Sequence, residues 1–316
     1  MSLGNILTPH SATPVALRIL TFNLGLLGFR VPGVCFVPMA DHVQRRLEVA
    51  PHQLIGTDAD IVALQEVYDH RHRRYLASAV KDAYPYTYGV GDRWSMFSNG
   101  LMVLSRHPIV SGLYAPAPGF RLLERAISRK GYLCIEIMLP GIGRMRLINV
   151  HLTVSGMFFP SVERVDDERR RDEISHLVDL ADANGSEPAV LVGDFNCSPD
   201  VHADHYHHIT EAGYVDSFVA GGETGDGFTW DVNNALNRNG PYKNSPSQRI
   251  DHIFIPKALL ASLSPVNGTV MFDRPTVSID GADRVTLSDH YGMMVNFAAT
   301  QSAPAVGTAP RQETLA

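Results

Sequence analysis

Six short apolar runs in this chain each carry an acid, an amide or an imidazole at or near their end, and this pattern constrains the fold more than any other feature. They are Ile19-Leu20-Thr21-Phe22-Asn23, Ile61-Val62-Ala63-Leu64-Gln65-Glu66 and Leu147-Ile148-Asn149-Val150-His151. The others are Leu191-Val192-Gly193-Asp194-Phe195-Asn196, Arg249-Ile250-Asp251-His252-Ile253-Phe254 and Leu287-Ser288-Asp289-His290. Short apolar runs bounded by polar residues read as buried strands. Polar groups held on rigid strand ends are suited to converging on one small ligand.

The remaining helix and strand signals complete an α/β pattern. Strands are expected over 15–22, 61–65, 100–105, 132–139, 144–151, 189–193, 250–255 and 292–297. Helices are expected over 41–54, 70–83 and 161–184, the last with Ile174, Leu177, Val178 and Ala181 at helical spacing. Strict βαβ alternation is absent, so two central sheets flanked by helices in one domain are expected. Composition points to a flexible arm over 1–16, a folded domain over 17–299 and a disordered tail over 300–316.

Bulk properties narrow the function. The 316 residues and 45% hydrophobic content suit a globular chain with a substantial core. A net charge of −6 argues against a protein that coats nucleic acid, but a local basic groove can coexist with it. Three scattered cysteines form neither a disulfide framework nor a zinc knuckle. No stretch reaches the roughly 18 apolar residues of a membrane span, and no secretory signal is visible. A cytoplasmic location is the default reading, with peripheral membrane contact or non-classical export compatible with it.

The polar strand ends supply the parts that phosphodiester hydrolysis needs. Mg²⁺ takes oxygen ligands and often only one or two protein carboxylates, and Glu66 is the first candidate. Adjacent strand residues face opposite sides, so Asp289 is unsuited to orient its neighbour His290. Asp251 is the better partner, fixing the tautomer so that the other nitrogen of His290 can accept a proton. Asp194 and Asn196 share a face on an extended chain and would position water and a phosphoryl oxygen, although Asp-Phe-Asn equally reads as a turn. His151 is a candidate for stabilising a leaving oxygen, and Asn23 is a candidate or a turn residue. Six such ends in one chain point to metal-assisted phosphoester hydrolysis.

These residues resemble the endonuclease/exonuclease/phosphatase superfamily, the DNase-I-like fold, over roughly 17–297. The marks are Thr21-Phe22-Asn23, Leu64-Gln65-Glu66-Val67, Asn149-Val150-His151, Gly193-Asp194-Phe195-Asn196, Arg249-Ile250-Asp251 and Ser288-Asp289-His290. The resemblance implies a four-layer α/β sandwich, two central and mostly antiparallel sheets flanked by helices, and a Mg²⁺-dependent phosphodiesterase. Mn²⁺ or another divalent cation would serve similarly. It implies Glu66, Asn23 and Asp289 on the metal side, His290 with Asp251 as general base, and His151, Asp194 and Asn196 as phosphate and leaving-group residues. Asp216 occupies a further recurrent acidic position.

Within the superfamily, Ser98-Asn99-Gly100-Leu101-Met102-Val103-Leu104-Ser105-Arg106-His107-Pro108-Ile109 is similar to a segment of the neutral sphingomyelinase branch. So are Arg129-Lys130-Gly131-Tyr132, Thr229-Trp230-Asp231 and the charged helix around 168–173. That branch implies a phospholipase-C-type cut in a phospholipid at a membrane surface. The apolar stretch 24–39, broken by Gly and Pro, and Met157-Phe158-Phe159 fit a lipid-facing rim, or else pack inside. Nucleic acid is the rival substrate. A catalytically silent binding module is a third reading, disfavoured because Glu66, Asp194, Asn196, Asp251 and His290 are all present. No protein partner can be inferred. The cluster of His202, Asp204, His205, His207 and His208 reads as a solvated loop or helix face, and Arg169, Arg170 and Arg171 as a solvated helix face.

Overall fold

The computed structural model describes residues 16–27, 40–89, 98–118, 131–154, 163–183, 187–223, 225–238, 240, 242–281 and 283–299. The expected arm and tail lie outside these residues, apart from Ala16, whose N–H donates to the Phe297 carbonyl.

The chain runs β1 (Leu17–Asn23), α1 (Val43–Gly56), β2 (Ile61–Gln65), α2 (His70–Ala79), β3 (Tyr86–Tyr88), β4 (Met102–Ser105) and β5 (Ile109–Pro116). It continues with β6 (Gly131–Leu139), β7 (Gly143–His151), α3 (Glu163–Ala183), β8 (Ala189–Asp194), α4 (Ala203–Glu211), β9 (Tyr214–Asp216) and α5 (Ser217–Ala220). The last elements are β10 (Asp251–Pro256), β11 (Leu263–Met271), β12 (Val277–Ser278), β13 (Arg284–Val285) and β14 (Gly292–Ala299).

Two six-stranded sheets form the centre, in the orders β11-β14-β1-β2-β4-β3 and β5-β6-β7-β8-β10-β9. Each is antiparallel except for one parallel pair, β1–β2 in the first and β7–β8 in the second. The core divides into three slabs. Ile19, Ala63, Leu147, Val190, Val192, Ile253 and Val295 lie in the slab containing the facing residues of both sheets. Leu20, Phe22, Val62 and Leu64 point the other way, onto Leu47 and Leu54 of α1 and Leu76 of α2. Ile148, Val150, Leu191 and Phe254 pack with Ile174 and Leu177 of α3 and Ile209 of α4. Three slabs make four layers, the expected α/β sandwich. The central strands are covered on both faces, which is why they read as near-continuous apolar runs.

Strands missed by the sequence pattern are peripheral. In β5 most residues are exposed or half-buried. In β11, Pro265 stands on a sheet edge beside a register shift between Pro265 and Asn267, where a residue without an N–H is tolerated.

At Gly193 the parallel pair β7–β8 leaves no room for a side chain. This glycine has φ +138° and stands opposite Val150. A Cβ there would overlap the Val150 carbonyl oxygen. Gly193→Ala is expected to lower the urea midpoint with a loss of about 3 kcal/mol, combining backbone strain and a displaced strand; an unchanged midpoint would refute this reading of the contact.

Candidate active site at the strand ends

Both parallel pairs point their C-terminal ends to the same edge of the sandwich. Asn23 is registered with Gln65, and Glu66 comes next in the chain. His151 is registered with Asp194. The antiparallel neighbours contribute from their starts. Asp251 opens β10 opposite Asp194, and His290 lies two residues before β14, the partner of β1. Six residues distant in sequence thereby reach one edge for a topological reason.

The side chains meet across the gap between sheets. Asn23 Nδ2 donates to Asp194 Oδ2 at 3.0 Å and to Glu66 Oε1 at 3.3 Å, while its Oδ1 accepts the Gly25 N–H. His151 Nε2 lies 3.6 Å from Asp194 Oδ2 and 3.9 Å from Glu66 Oε1. His290 Nδ1 is 2.9 Å from Asp251 Oδ2, and its Nε2 is 3.9 Å from Asp194 Oδ2. Asn196 is not extended; with φ +49° it closes a turn in which its N–H donates to Asp194 Oδ1, and its amide holds the Leu152 carbonyl. Glu66 is also left-handed, at φ +58°. Left-handed non-glycine residues are uncommon and strained, and they cluster at functional sites.

A second set of residues, absent from the candidates read in the sequence, fixes this group. The Tyr68 hydroxyl lies 3.5 Å from His151 Nδ1. Thr229 Oγ1 accepts the N–H groups of Ile250 and Asp251. Asn234 and Asn237 donate to the Asp289 carbonyl at 3.3 and 2.9 Å. Asp289 itself is half-buried, its Oδ1 accepting from Ser288 Oγ at 3.0 Å. Beneath the site, Gln65 Nε2 donates to Asn149 Oδ1 at 2.8 Å, joining the two sheets. Thr229, within Thr229-Trp230-Asp231, Ser288, within Ser288-Asp289-His290, and Gln65 and Asn149, beside Glu66 and His151, lie in sequence motifs. Tyr68, Asn234 and Asn237 carry no local pattern that marks them.

Burial, then the nearby Asp251 charge, pushes the Asp194 carboxyl up to about 7. Burial opposes the charged form of His290, but the charge and hydrogen bond of Asp251, with Asp194 and Asp289, outweigh it and hold the imidazole well above its ordinary value. Asp194, Asp251 and His290 present ligand atoms within 4.8 Å of one another. That buried trio is better suited to proton handling than to Mg²⁺, because His290 is already bonded to Asp251 and Mg²⁺ favours oxygen. Glu66, whose side chain keeps 20% of its exposure, is the more accessible oxygen donor. The surrounding carboxylates suit a hard divalent cation.

A family model described as "Endonuclease/Exonuclease/phosphatase family" matches residues 20–290. The chain belongs to this family. It is 20% identical over 320 residues to Sphingomyelinase C 2 of Leptospira interrogans serogroup Icterohaemorrhagiae serovar Lai (strain 56601), covering 96% of this chain and 49% of that protein. The chain thus spans about half the length of that relative. A beta toxin from Staphylococcus aureus, carrying two substitutions and bound magnesium ions, matches with TM-score 0.65 and 18% identity, covering 89% of this chain and 99% of that chain. TDP2 of D. rerio, complexed with a single-strand DNA product, matches equally well, with TM-score 0.65 and 18% identity over 89% and 98% of the two chains. The structural likenesses carry the fold.

Within this family frame the structure corrects some expectations from the sequence. Arg170 is not on a solvated face. It is fully buried, donating to His205 Nδ1, the Thr153 carbonyl and Asp167. His205 is buried with it, so the histidine cluster is a partly buried helix face. The cause is packing of α3 on α4, which leaves the Thr153 carbonyl in need of a donor. Leu24 and Leu26 are buried, while the rest of the expected rim at 28–39 and 157–159 lies outside the described residues.

Asp216 does not join the strand-end group. It pairs with Phe254 in register, caps α5, and is buried against Arg249, His252 and Tyr206. Burial alone would raise its carboxyl, but the His252 and Arg249 contacts outweigh this and hold it far below the ordinary range. A depressed carboxylate stabilises the fold above its unfolded value of about 4 and loses that contribution as pH falls toward its folded value. Asp216→Asn should therefore cost about 3 kcal/mol at pH 7, shrinking below about pH 4, in denaturant titrations across that range. A cost independent of pH would contradict the ion-pair account.

Proposed function

We propose that the chain is a metal-dependent phosphodiesterase that hydrolyses the headgroup bond of a phospholipid, in the manner of a sphingomyelinase or phospholipase C. The convergence of Asn23, Glu66, His151, Asp194, Asp251 and His290 on one strand-end edge carries the hydrolytic part of this reading. The likeness to a sphingomyelinase over 96% of this chain supports the lipid part. Among the described residues no helix is long and apolar enough to cross a membrane.

Glu66, with Asn23 and Asp289 beside it, would hold Mg²⁺. When bound, the cation supplies a Lewis acid for the phosphoryl oxygens and positive charge against the carboxylates. With Nδ1 bonded to Asp251, His290 would accept the proton of the attacking water at Nε2 once a bound cation offsets the carboxylate charge that otherwise keeps the ring protonated. Asp194 orients that water and the His290 ring, and Asn23 holds Asp194 in place. His151 directs Nε2 to the same space, where it donates toward the phosphoryl or leaving oxygen. Asn196 supports the Leu152 carbonyl, fixing the residue next to His151.

His290→Ala is expected to keep the fold while lowering kcat about 10³- to 10⁴-fold, read from single-turnover rates on a phosphodiester. Near-normal turnover in the folded variant would remove His290 from the role of base. EDTA should abolish turnover and Mg²⁺ should restore it. A second reading is favoured by the equal match to a protein seen with a DNA product. Parallel assays separate the two: phosphocholine released from sphingomyelin vesicles supports the lipid, whereas cleavage confined to plasmid or single-stranded DNA refutes it.

A further inference from the structure

Arg46, in α1, is a fully buried cation that the proposed chemistry does not use. Its guanidinium is spent on main-chain carbonyls. Nε donates to Asp41 at 2.9 Å, one terminal nitrogen to Leu24 at 2.8 Å and Leu287 at 3.2 Å, and the other to Gly25 at 2.6 Å. Among the described residues it makes no direct ion pair. A buried charge without a counterion is costly, so the arrangement calls for an explanation.

The acceptors supply one. Leu24 and Gly25 come directly after Asn23 in the chain, and Leu287 directly precedes Ser288-Asp289-His290. One planar fork thus fixes the spacing between the exit of β1 and the segment that delivers Asp289 and His290. Arginine alone among side chains offers five donors in such a rigid fan. A second observation lies at the same junction. Gly25, at φ +54°, brings its backbone so close to Asp289 that a Cβ would overlap the Asp289 carboxylate and crowd Ser288 Oγ. The carboxylates whose charge acts most on the Arg46 guanidinium are Asp289 and Glu66.

We propose that Arg46 is a positioning residue that sets the separation of Asn23 and Glu66 from Asp289 and His290, and thereby prepares the oxygen face that receives the divalent cation. The inference rests on the metal-dependent reading above, and not on the choice of lipid. Arg46 touches no reacting atom. It acts through Gly25 and Leu287.

The test uses the full chain stripped of metal, with MgCl₂ binding read by calorimetry and turnover read on a phosphodiester. Arg46→Lys keeps the charge and loses the fork. Its Mg²⁺ dissociation constant is expected to rise about 10- to 100-fold, with a comparable fall in kcat and an unchanged KM, as for other residues that orient metal ligands. Gly25→Ala pushes on Asp289 from the other side and should weaken Mg²⁺ binding similarly without touching the buried charge. A folded Arg46→Lys with wild-type Mg²⁺ affinity overturns the proposal. Should Arg46→Lys fail to fold, a Gly25→Ala protein with wild-type affinity overturns it instead. Wild-type protein that neither binds Mg²⁺ nor cleaves a diester removes the metal-dependent reading itself, a result distinct from a silent variant.

Discussion

The hydrogen bond from Asn23 to Asp194 joins the ends of two strands that belong to different sheets. Everything at the candidate site depends on that crossing. The facing residues of the two sheets are mostly apolar and alone would tolerate sliding, because dispersion and hydrophobic burial have little directionality. A buried amide facing a buried carboxylate does not tolerate it, since an unsatisfied partner costs about 1–3 kcal/mol. The bond from Gln65 to Asn149 repeats the device one layer below. These links, with the Asn149 amide donating to the Leu64 and Met102 carbonyls and Tyr88 to the Gly112 carbonyl, set the alignment of the sheets. His151 and Glu66, which stand on opposite sheets, inherit that alignment.

The same gathering brings like charges together. Asp194 and Asp251 are buried within reach of each other, Glu66 shares the Asn23 amide with Asp194, and the Asp289 charge acts on His290. The raised Asp194 carboxyl and the strongly held His290 proton are the electrostatic result of crowding carboxylates away from water. Left-handed backbone at Glu66 and Asn196 adds conformational cost at the same edge. Folding tolerates these costs because three apolar slabs lie behind them. A site held in an unfavourable state by the rest of the molecule is pre-organised for whatever relieves it, and positive charge is what relieves this one.

The four layers and the family were legible because central strands covered on both faces must be apolar throughout, so their polar ends stand out. The sequence pattern locates β2, β6 and β7 to within a residue. Edge strands such as β5 and β11, with one face open and Pro or Gly inside, carry no such signal. The strand-end residues were legible for the same reason as the strands. The residues that hold them were not. Tyr68, Asn234 and Asn237 act through contacts distant in sequence, and Arg46 and Arg170 sit in helices most of whose other charges are exposed or half-buried. A buried arginine is indistinguishable from a solvated one until the carbonyls it serves are in place. Helical patterning accordingly puts Arg170 on the wrong face.

Those two arginines reveal a symmetry between the halves. In each sheet one strand of the parallel pair delivers a site residue, Asn23 or His151, and the chain then leaves the sheet. In each half the outer helix sends a fully buried arginine to the carbonyls just past that residue. Arg46 of α1 holds Leu24 and Gly25, and Arg170 of α3 holds Thr153. Glu173 adds its carboxylate to the Thr153 N–H and hydroxyl. Each strand end is thus held twice, by its neighbours in the sheet and by an arginine from an outer helix, so the exit of the chain is fixed where Asn23 and His151 stand.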